Sequence, residues 1–354
     1  MNMYQKHLTK ITRTAQYNFD RSSFLRLDAN ERVIPFSKNI LSKLKKIITN
    51  NILQSYPINP KKVINLISRK EKLNYKYINI VPGSDSAIKF IFEIFSGKKT
   101  KVISIYPTYG MIEVYAKIYK QKLHKIYENK VKNFTVKSMY NNTSFLYIAN
   151  PNQPSGKIIS KNMIVEIIKT ARAKKKYVVI DEAYVDFSKQ KSCANLISKY
   201  DNLILLKTFS KSTGLAGLRI GYIICHPKVS KLINSVRPIF DVSHYSLKVA
   251  EYFLLNKRII DQYLQAIKNS KKFVKKECLK RNLKFLNTEA NFFHIFLNKK
   301  NVSKIYNFLK KNNILVKSKY SRGFKVLENS IRMTYGSRNQ MKYFFTKFDK
   351  IYNR

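Results

Sequence analysis

Residues 203–222 read Leu-Ile-Leu-Leu-Lys-Thr-Phe-Ser-Lys-Ser-Thr-Gly-Leu-Ala-Gly-Leu-Arg-Ile-Gly-Tyr. The apolar run Leu203–Leu206 reads as a buried strand. Behind it the chain turns short and polar, and Ser210, Ser212, Thr213, Gly214 and Gly217 let the backbone approach a ligand closely. Lys211 stands in the middle of that turn. A Schiff base requires a lysine that loses its proton near neutral pH and reaches a carbonyl, and Arg219 supplies a fixed cation for an anionic group of the same ligand. The plainer alternative is an exposed turn lysine in a basic chain. What separates the two is whether the other groups such a ligand needs stand at other strand ends.

Working outward, residues 77–222 alternate short apolar runs with helical patterns. The runs are Ile78–Val81, Val102–Ile105, Phe145–Ala149, Val178–Ile180, Leu203–Leu206 and Ile220–Ile224, with helices such as Ala87–Phe95 and Lys161–Ala173 between them. Continuous apolar, largely β-branched runs alternating with helices predict an α/β fold with a mostly parallel sheet covered on both faces. Such sheets bind ligands beyond the carboxyl ends of their strands.

The turn after each run carries a distinct chemistry. Pro82-Gly83-Ser84-Asp85-Ser86 opens straight into a helix, whose free N–H groups suit a phosphate. After Ile105 comes Tyr106-Pro107-Thr108-Tyr109-Gly110, in which Tyr109 suits stacking on a planar ring. Asn150-Pro151-Asn152-Gln153-Pro154-Ser155-Gly156 is a rigid turn offering the amides of Asn152 and Gln153 to a ring hydroxyl. Asp181 ends a buried strand, where a carboxylate is costly unless it meets a cation such as a protonated pyridine nitrogen. Tyr184 is placed to reach the phenolic oxygen of the same ring. Together these groups ask for pyridoxal 5′-phosphate, which carries an aldehyde, a phosphate and a pyridine that acts as an electron sink when protonated.

The whole chain resembles the fold type I pyridoxal-phosphate aminotransferases of class I and II, nearest the histidinol-phosphate group. The likeness is carried by L-D-A-N-E (27–31), S-Y-P (55–57), G-S-D (83–85), Y-P-T-Y-G-M (106–111), N-P-N-Q-P-S-G (150–156), V-V-I-D-E-A-Y (178–184), T-F-S-K-S-T-G-L-A-G-L-R-I-G-Y (208–222) and I-R-M-T-Y-G-S-R (331–338). The resemblance implies Lys211 as Schiff-base lysine and proton carrier, Asp181 on the pyridine nitrogen, and Tyr184 and Gln153 on the ring oxygen. It implies Ser84, Asp85, Ser210 and Arg219 at the phosphate, Tyr109 on the ring and Thr208 among the cofactor-binding residues. Tyr56 matches a tyrosine that reaches the phosphate from the neighbouring subunit, which implies a homodimer with shared active sites. On the substrate side it implies Arg332, Lys317, Asn30 and Tyr17.

Three departures from the family pattern stand out. Gln153 replaces the usual Asn, Arg32-Val33-Ile34 replaces the usual Asn-Pro-Tyr, and Lys317 stands where a second arginine is usual. The first keeps an amide donor; the other two touch the substrate side. The expected reaction is transfer of an amino group between glutamate and 2-oxoglutarate and a small partner such as histidinol phosphate. The alternatives are transamination in another biosynthetic pathway and decarboxylation of a phosphorylated amino acid of the threonine-phosphate type.

Composition bounds the rest. The 354 residues exceed what one hydrophobic core usually holds. The expected division is an N-terminal arm and start of a small α+β domain at 1–45, a large cofactor-binding domain at 46–255 and a C-terminal small domain at 256–354. The net charge of +49 ordinarily points to nucleic acid or an anionic membrane. Here the lysines are scattered in short groups such as Lys174–Lys176 and Lys310–Lys311, in a chain also rich in Asn and Ile, which is the bias of AT-rich coding. No nucleic-acid or membrane partner is expected. Cys193, Cys225 and Cys278 are odd in number and far apart, so neither disulfides nor a metal site is expected, and the setting is expected to be cytoplasmic.

Overall fold

The computed structural model describes residues 5–12, 17–57, 60–133, 141–318 and 327–352. Tyr4 of the N-terminal arm and Asn59 of the loop before residue 61 lie outside them. In chain order the strands are β1 (Leu25–Arg26), β2 (Ile78–Val81), β3 (Lys101–Tyr106), β4 (Lys122–Tyr127), β5 (Thr143–Ala149) and β6 (Tyr177–Asp181). They continue with β7 (Leu203–Thr208), β8 (Gly221–Cys225), β9 (Phe285–Asn287), β10 (Phe292–Phe296), β11 (Ile314–Leu315) and β12 (Ser330–Thr334).

Seven strands form the central sheet in the order β2-β8-β7-β6-β5-β3-β4. Only β8 runs against its neighbours β7 and β2, while every pair from β7 to β4 is parallel. The unbroken apolar runs are explained by burial on both faces. Ile80, Ile105, Ile148, Ile180 and Leu205 pack under the helices Lys61–Glu71, Lys161–Ala173 and His244–Leu255. Val81, Val102, Tyr147, Val179 and Leu206 face the helices Gly83–Phe95, Met111–Ile118 and Pro227–Val236. β4 was not among the expected runs, because it is an edge strand of sequence Lys-Leu-His-Lys-Ile-Tyr with half-buried or exposed side chains.

A second core lies in the C-terminal part. There β9, β10 and β12 form an antiparallel sheet, order β12-β10-β9. It packs with the helices Lys257–Lys280, Lys299–Lys311 and Arg338–Tyr352 through Tyr263, Val274, Phe293, Leu309, Met333 and Phe344. Leu27 joins this core from the far end of the sequence, since β1 pairs in parallel with β11. The helix Lys38–Lys46 instead joins the large core through Leu44, so by packing the return to the large body begins before the expected residue 46.

The carboxyl ends of β6 and β7 are tied together from behind. Lys207 is buried between Glu71 at 3.2 Å and Glu182 at 3.4 Å, and the Tyr222 hydroxyl donates to Glu71 at 2.7 Å. Burial alone would pull the Lys207 ammonium down, but the two carboxylates more than offset it and hold it charged. Next to Lys211, the Ser212 hydroxyl donates to Asp186. The turn that bears Lys211 is thereby fixed to the strand end that bears Asp181.

Candidate active site

The carboxyl ends of β2, β3, β5, β6 and β7 come to one edge of the sheet, and a cavity of about 200 Å3 opens there. Ser84, Asp85, Tyr109, Gln153, Asp181, Tyr184, Thr208, Ser210, Lys211 and Arg219 all line it, so ten side chains singled out from sequence share one space. A second lobe of about 530 Å3 continues toward the C-terminal sheet and is lined by Tyr17, Asp28, Asn30, Lys317 and Arg332. Tyr109, Gln153, Tyr184 and Lys211 border both lobes.

The helix Gly83–Phe95 begins at the cavity wall, with Pro82 as its N-cap, a residue without a side-chain acceptor. The first-turn N–H groups of such a helix favour an anion. Gly83 has φ +81°, and a Cβ there would come within 3.0 Å of the Arg219 guanidinium. The positive φ favours glycine, and its lack of a side chain leaves room for the arginine over the helix start. Arg219 is itself in the left-handed conformation at φ 48°, which turns the chain back into β8 at the same edge.

Lys211 reaches the junction of the lobes, its Nζ 3.1 Å from the Asn30 carbonyl and 3.3 Å from that of Ala29. Its Nζ also lies 5.6 Å from the centre of the Tyr184 ring. Asn30, expected on the substrate side, donates from its amide to the Tyr184 hydroxyl at 3.0 Å and so stands at the border with the cofactor side.

Asp181 is 6% exposed. Burial pushes its carboxyl up to about 6, while the Tyr147 hydroxyl, the Ala183 N–H and the positive charge of Lys211 act in the opposite direction and Glu182 adds to the rise. Burial likewise pushes the Tyr109 phenol far up, with Asp85, Tyr184 and Asp181 adding to it, so Tyr109 is neutral at every working pH.

The turn at 150–156 is locked in place. The Asn152 amide donates to Glu128 and to the Pro107 carbonyl, each at 2.6 Å, and the Ser155 hydroxyl donates to Glu128. Gly156, at φ +68°, lies so close to Thr288 that a Cβ would overlap it at 2.1 Å. His294 of β10 donates from Nε2 to the Pro154 carbonyl at 2.9 Å, which joins this turn to the C-terminal sheet.

In the second lobe Arg332 is 5% exposed, so it is a buried strand arginine. Its guanidinium donates to the Asp28 carbonyl at 2.8 Å. Lys317 is its cross-strand partner, with backbone bonds of 3.0 and 2.7 Å in the two directions. Burial and the neighbouring Arg332 pull the Lys317 ammonium down, with Asp28 opposing. Asp28 accepts from the Tyr17 hydroxyl and, at 2.7 Å, from Arg21. Asp28 lies in the 27–31 motif but carries no expected role from sequence; Glu31, bonded to Arg21 at 2.7 Å, also lines the first lobe. Tyr56 lines neither described lobe; it is 76% exposed and stacks on Phe240 at 4.6 Å between ring centres.

These residues fit pyridoxal 5′-phosphate. An amine, a helix start with an arginine over it, a buried carboxylate and a phenol surround one cavity. Among the described residues, the Gln153 amide oxygen, the Asn30 amide oxygen and Arg332 Nε are buried without a protein partner, all on residues lining the cleft. Buried polar atoms of that kind call for a polar occupant.

Comparison with known proteins bears on the same set. The family model for aminotransferase class I and II matches residues 25–348. The chain is 31% identical over 326 residues to a histidinol-phosphate aminotransferase of Clostridium novyi, covering 89% of this chain and 88% of that one. It is 29% identical over 364 residues to a dihydroxyacetone phosphate transaminase of Campylobacter jejuni, covering 95% and 92%. The crystal structure of histidinol-phosphate aminotransferase from Sinorhizobium meliloti in complex with pyridoxal-5′-phosphate superposes with a TM-score of 0.84 at 17% identity, covering 99% of this chain and 98% of that one. A match over nearly the whole length, reaching from β1 to the last helix, makes this chain a member of the class I and II aminotransferases, enzymes dependent on pyridoxal 5′-phosphate.

Proposed function

We propose that the protein transfers an amino group between glutamate or 2-oxoglutarate and histidinol phosphate or imidazole acetol phosphate. The observation that carries this reading is the position of Lys211 between a lobe shaped for the cofactor and a lobe lined by Arg332 and Lys317. Two adjacent cations suit a substrate that ends in a phosphate or a carboxylate. Several curated relatives bear the histidinol-phosphate aminotransferase name at 27–32% identity over about nine-tenths of the chain.

In this reading Arg219, Ser210, Thr208 and the backbone N–H groups of Ser84 and Asp85 hold the cofactor phosphate. Tyr109 covers the ring, Tyr184 and Gln153 hold its oxygen, and Asp181 holds a proton on its nitrogen. When bound, the cofactor supplies the aldehyde that captures an amine and the ring that accepts electron density from the substrate's Cα. With the cofactor bound, Lys211 would act as general base, taking the proton from the substrate's Cα. Arg332 and Lys317 orient the anionic end of the substrate, with Asn30 and Tyr17 closing the lobe beside them.

The reading includes a homodimer in which Tyr56 completes the neighbouring subunit's phosphate site. Its support is the apolar surface around Tyr56, where Leu53, Ile239 and Phe240 are all exposed. A cytoplasmic setting is part of it too, in keeping with three buried free cysteines. Among the described residues no helix is long and apolar enough to cross a membrane.

The transaminase relative from Campylobacter jejuni favours a second reading, aminotransfer on another small phosphorylated substrate. Steady-state kinetics with 2-oxoglutarate separate the candidates. Histidinol phosphate is expected to give kcat/KM at least ten-fold above that of serinol phosphate, the amine matching dihydroxyacetone phosphate, and threonine phosphate is expected to release no CO2. A reversed preference, or CO2 release, would replace the proposal.

A further inference from the structure

Tyr147 lies outside the cleft and belongs to no motif, yet it touches the residue on which the ring chemistry depends. It sits on β5, two residues before the strand end, and β5 pairs with β6 in the register Tyr147↔Val179 and Ala149↔Asp181. Residues 147, 149, 179 and 181 therefore point to the same face, and the Tyr147 hydroxyl donates to Asp181 Oδ2 at 2.8 Å. Asp181 Oδ1 accepts from the Ala183 N–H at 3.0 Å. Each carboxylate oxygen thus has one internal donor.

The surroundings of Tyr147 are apolar: Phe92, Phe145, Val179 and Ile204 pack in the same cluster, and Tyr147 is buried. A phenylalanine would fill that space, and a hydroxyl there is costly unless paired. Asp181 is its one described hydrogen-bond partner. Burial keeps the phenol protonated far above neutral pH, with the Asp181 carboxylate adding to the effect, so it keeps the proton that it donates to Asp181. The charged and titratable groups facing the pair are Lys211, Glu182, Tyr109 and Tyr184.

We infer that Tyr147 is a positioning residue of the reaction: from behind the cleft its phenol fixes the Asp181 carboxylate in the orientation and ionised form that keep a proton on the cofactor's ring nitrogen. A buried carboxylate facing a protonated pyridine is prone to take that proton back and leave two neutral groups. Donation from Tyr147 stabilises the carboxylate and so favours the charged pair. The inference rests on the cofactor assignment above and is independent of which amine is the substrate.

The test compares wild-type and Tyr147→Phe holoenzymes loaded with cofactor labelled with 15N at the ring nitrogen. The 15N resonance of the variant is expected to move toward the unprotonated position. The kcat is expected to fall about 10- to 100-fold, as for loss of one buried hydrogen bond to a charged group, with KM for glutamate within two-fold. Asp181→Asn and the double variant Asp181→Asn/Tyr147→Phe are expected to have the same kcat, because the phenol acts only through that carboxylate. A variant resonance at the wild-type position, or a further ten-fold loss in the double variant, would overturn the inference. So would failure of Tyr147→Phe to fold or to take up cofactor, since the role requires that losing one hydroxyl leave the packing and cavity intact. A wild-type protein without any cofactor resonance would overturn the cofactor assignment as well, whereas a normal wild type beside an unresponsive variant would overturn this inference alone.

Discussion

The two lobes of the cleft are assembled in different ways. The lobe proposed for the cofactor takes most of its side chains from the turns after strands of the mostly parallel central sheet, so a single rigid edge sets their spacing. The substrate lobe is gathered from segments far apart in the chain: Tyr17 and Asp28 near the start, Lys317 after β11 and Arg332 on β12. A sheet edge fixes several groups at once, and changing one of them spoils a shared geometry. A lobe built from separate segments can exchange one cation for another, as Lys317 in place of the family's usual arginine illustrates. Of the departures from the family pattern, Lys317 lines this second lobe, whereas Arg32 packs on Phe36, Tyr263 and Gly214 away from its lining.

His294 joins the two bodies, and acid should act there most strongly. It is fully buried, and burial with the nearby Arg332 pushes its imidazole down to about 3, against the donation to Pro154. The unfolded chain takes up a proton near 6.5, the folded one only near 3, so this group's stability contribution is complete above 6.5 and is lost as pH falls from there toward 3. At full titration the loss is on the order of 5 kcal/mol, from ~1.4 kcal/mol per pH unit. Denaturant melts of wild type and His294→Gln across that range check it: the variant is expected to lose much less on acidification. Equal losses would mean that the seam does not carry the acid sensitivity.

On the cofactor lobe, Asp181→Asn is expected to lower kcat on the order of 10² to 10³-fold, as for loss of a preorganised electrostatic partner. The same substitution should stabilise the cofactor-free protein. Because the folded carboxyl titrates at about 6 and an unfolded one near 3.8, stability falls as pH rises between those values and stays lower above them. Asp181→Asn should remove that fall, about 3 kcal/mol at pH 8, in melts of cofactor-free protein. A residue that is costly in the fold and required for the chemistry is what an active site predicts.

On the substrate lobe, Arg332→Ala is expected to lower kcat/KM for histidinol phosphate about 10²-fold through lost charged hydrogen bonds, with the cofactor's absorbance unchanged. Lys317→Ala is expected to cost about ten-fold with a phosphorylated substrate and under two-fold with glutamate, because a flexible ammonium acts as a point charge on the larger anion. Competition kinetics with the two substrates read that ratio. Equal effects on both would mean that Lys317 does not distinguish a phosphate from a carboxylate.

The same contrast governs how far the sequence could be read. Groups of the cofactor lobe follow apolar runs, so strand pattern and local chemistry together locate them. His294 has no such local mark, because its partner Pro154 acquires meaning only after the chain folds back on itself. Tyr147 is hidden in an apolar strand, where one hydroxyl does not disturb the pattern that marks the strand. The edge strand β4 escaped because half-exposed alternation resembles a loop more than a buried run. Tyr56, expected from the resemblance to serve a neighbouring subunit, is exposed and does not line the described cavity of its own chain.

The measurement that tests the central claim most directly is the visible absorbance of the purified protein, with and without glutamate, for wild type and Lys211→Ala. The account predicts a band from lysine-bound cofactor in the wild type that bleaches when glutamate is added. The Lys211→Ala protein should lack that lysine-bound band and should not turn over. A wild type with no band even after incubation with pyridoxal 5′-phosphate, or a Lys211→Ala protein that retains both band and turnover, would contradict it.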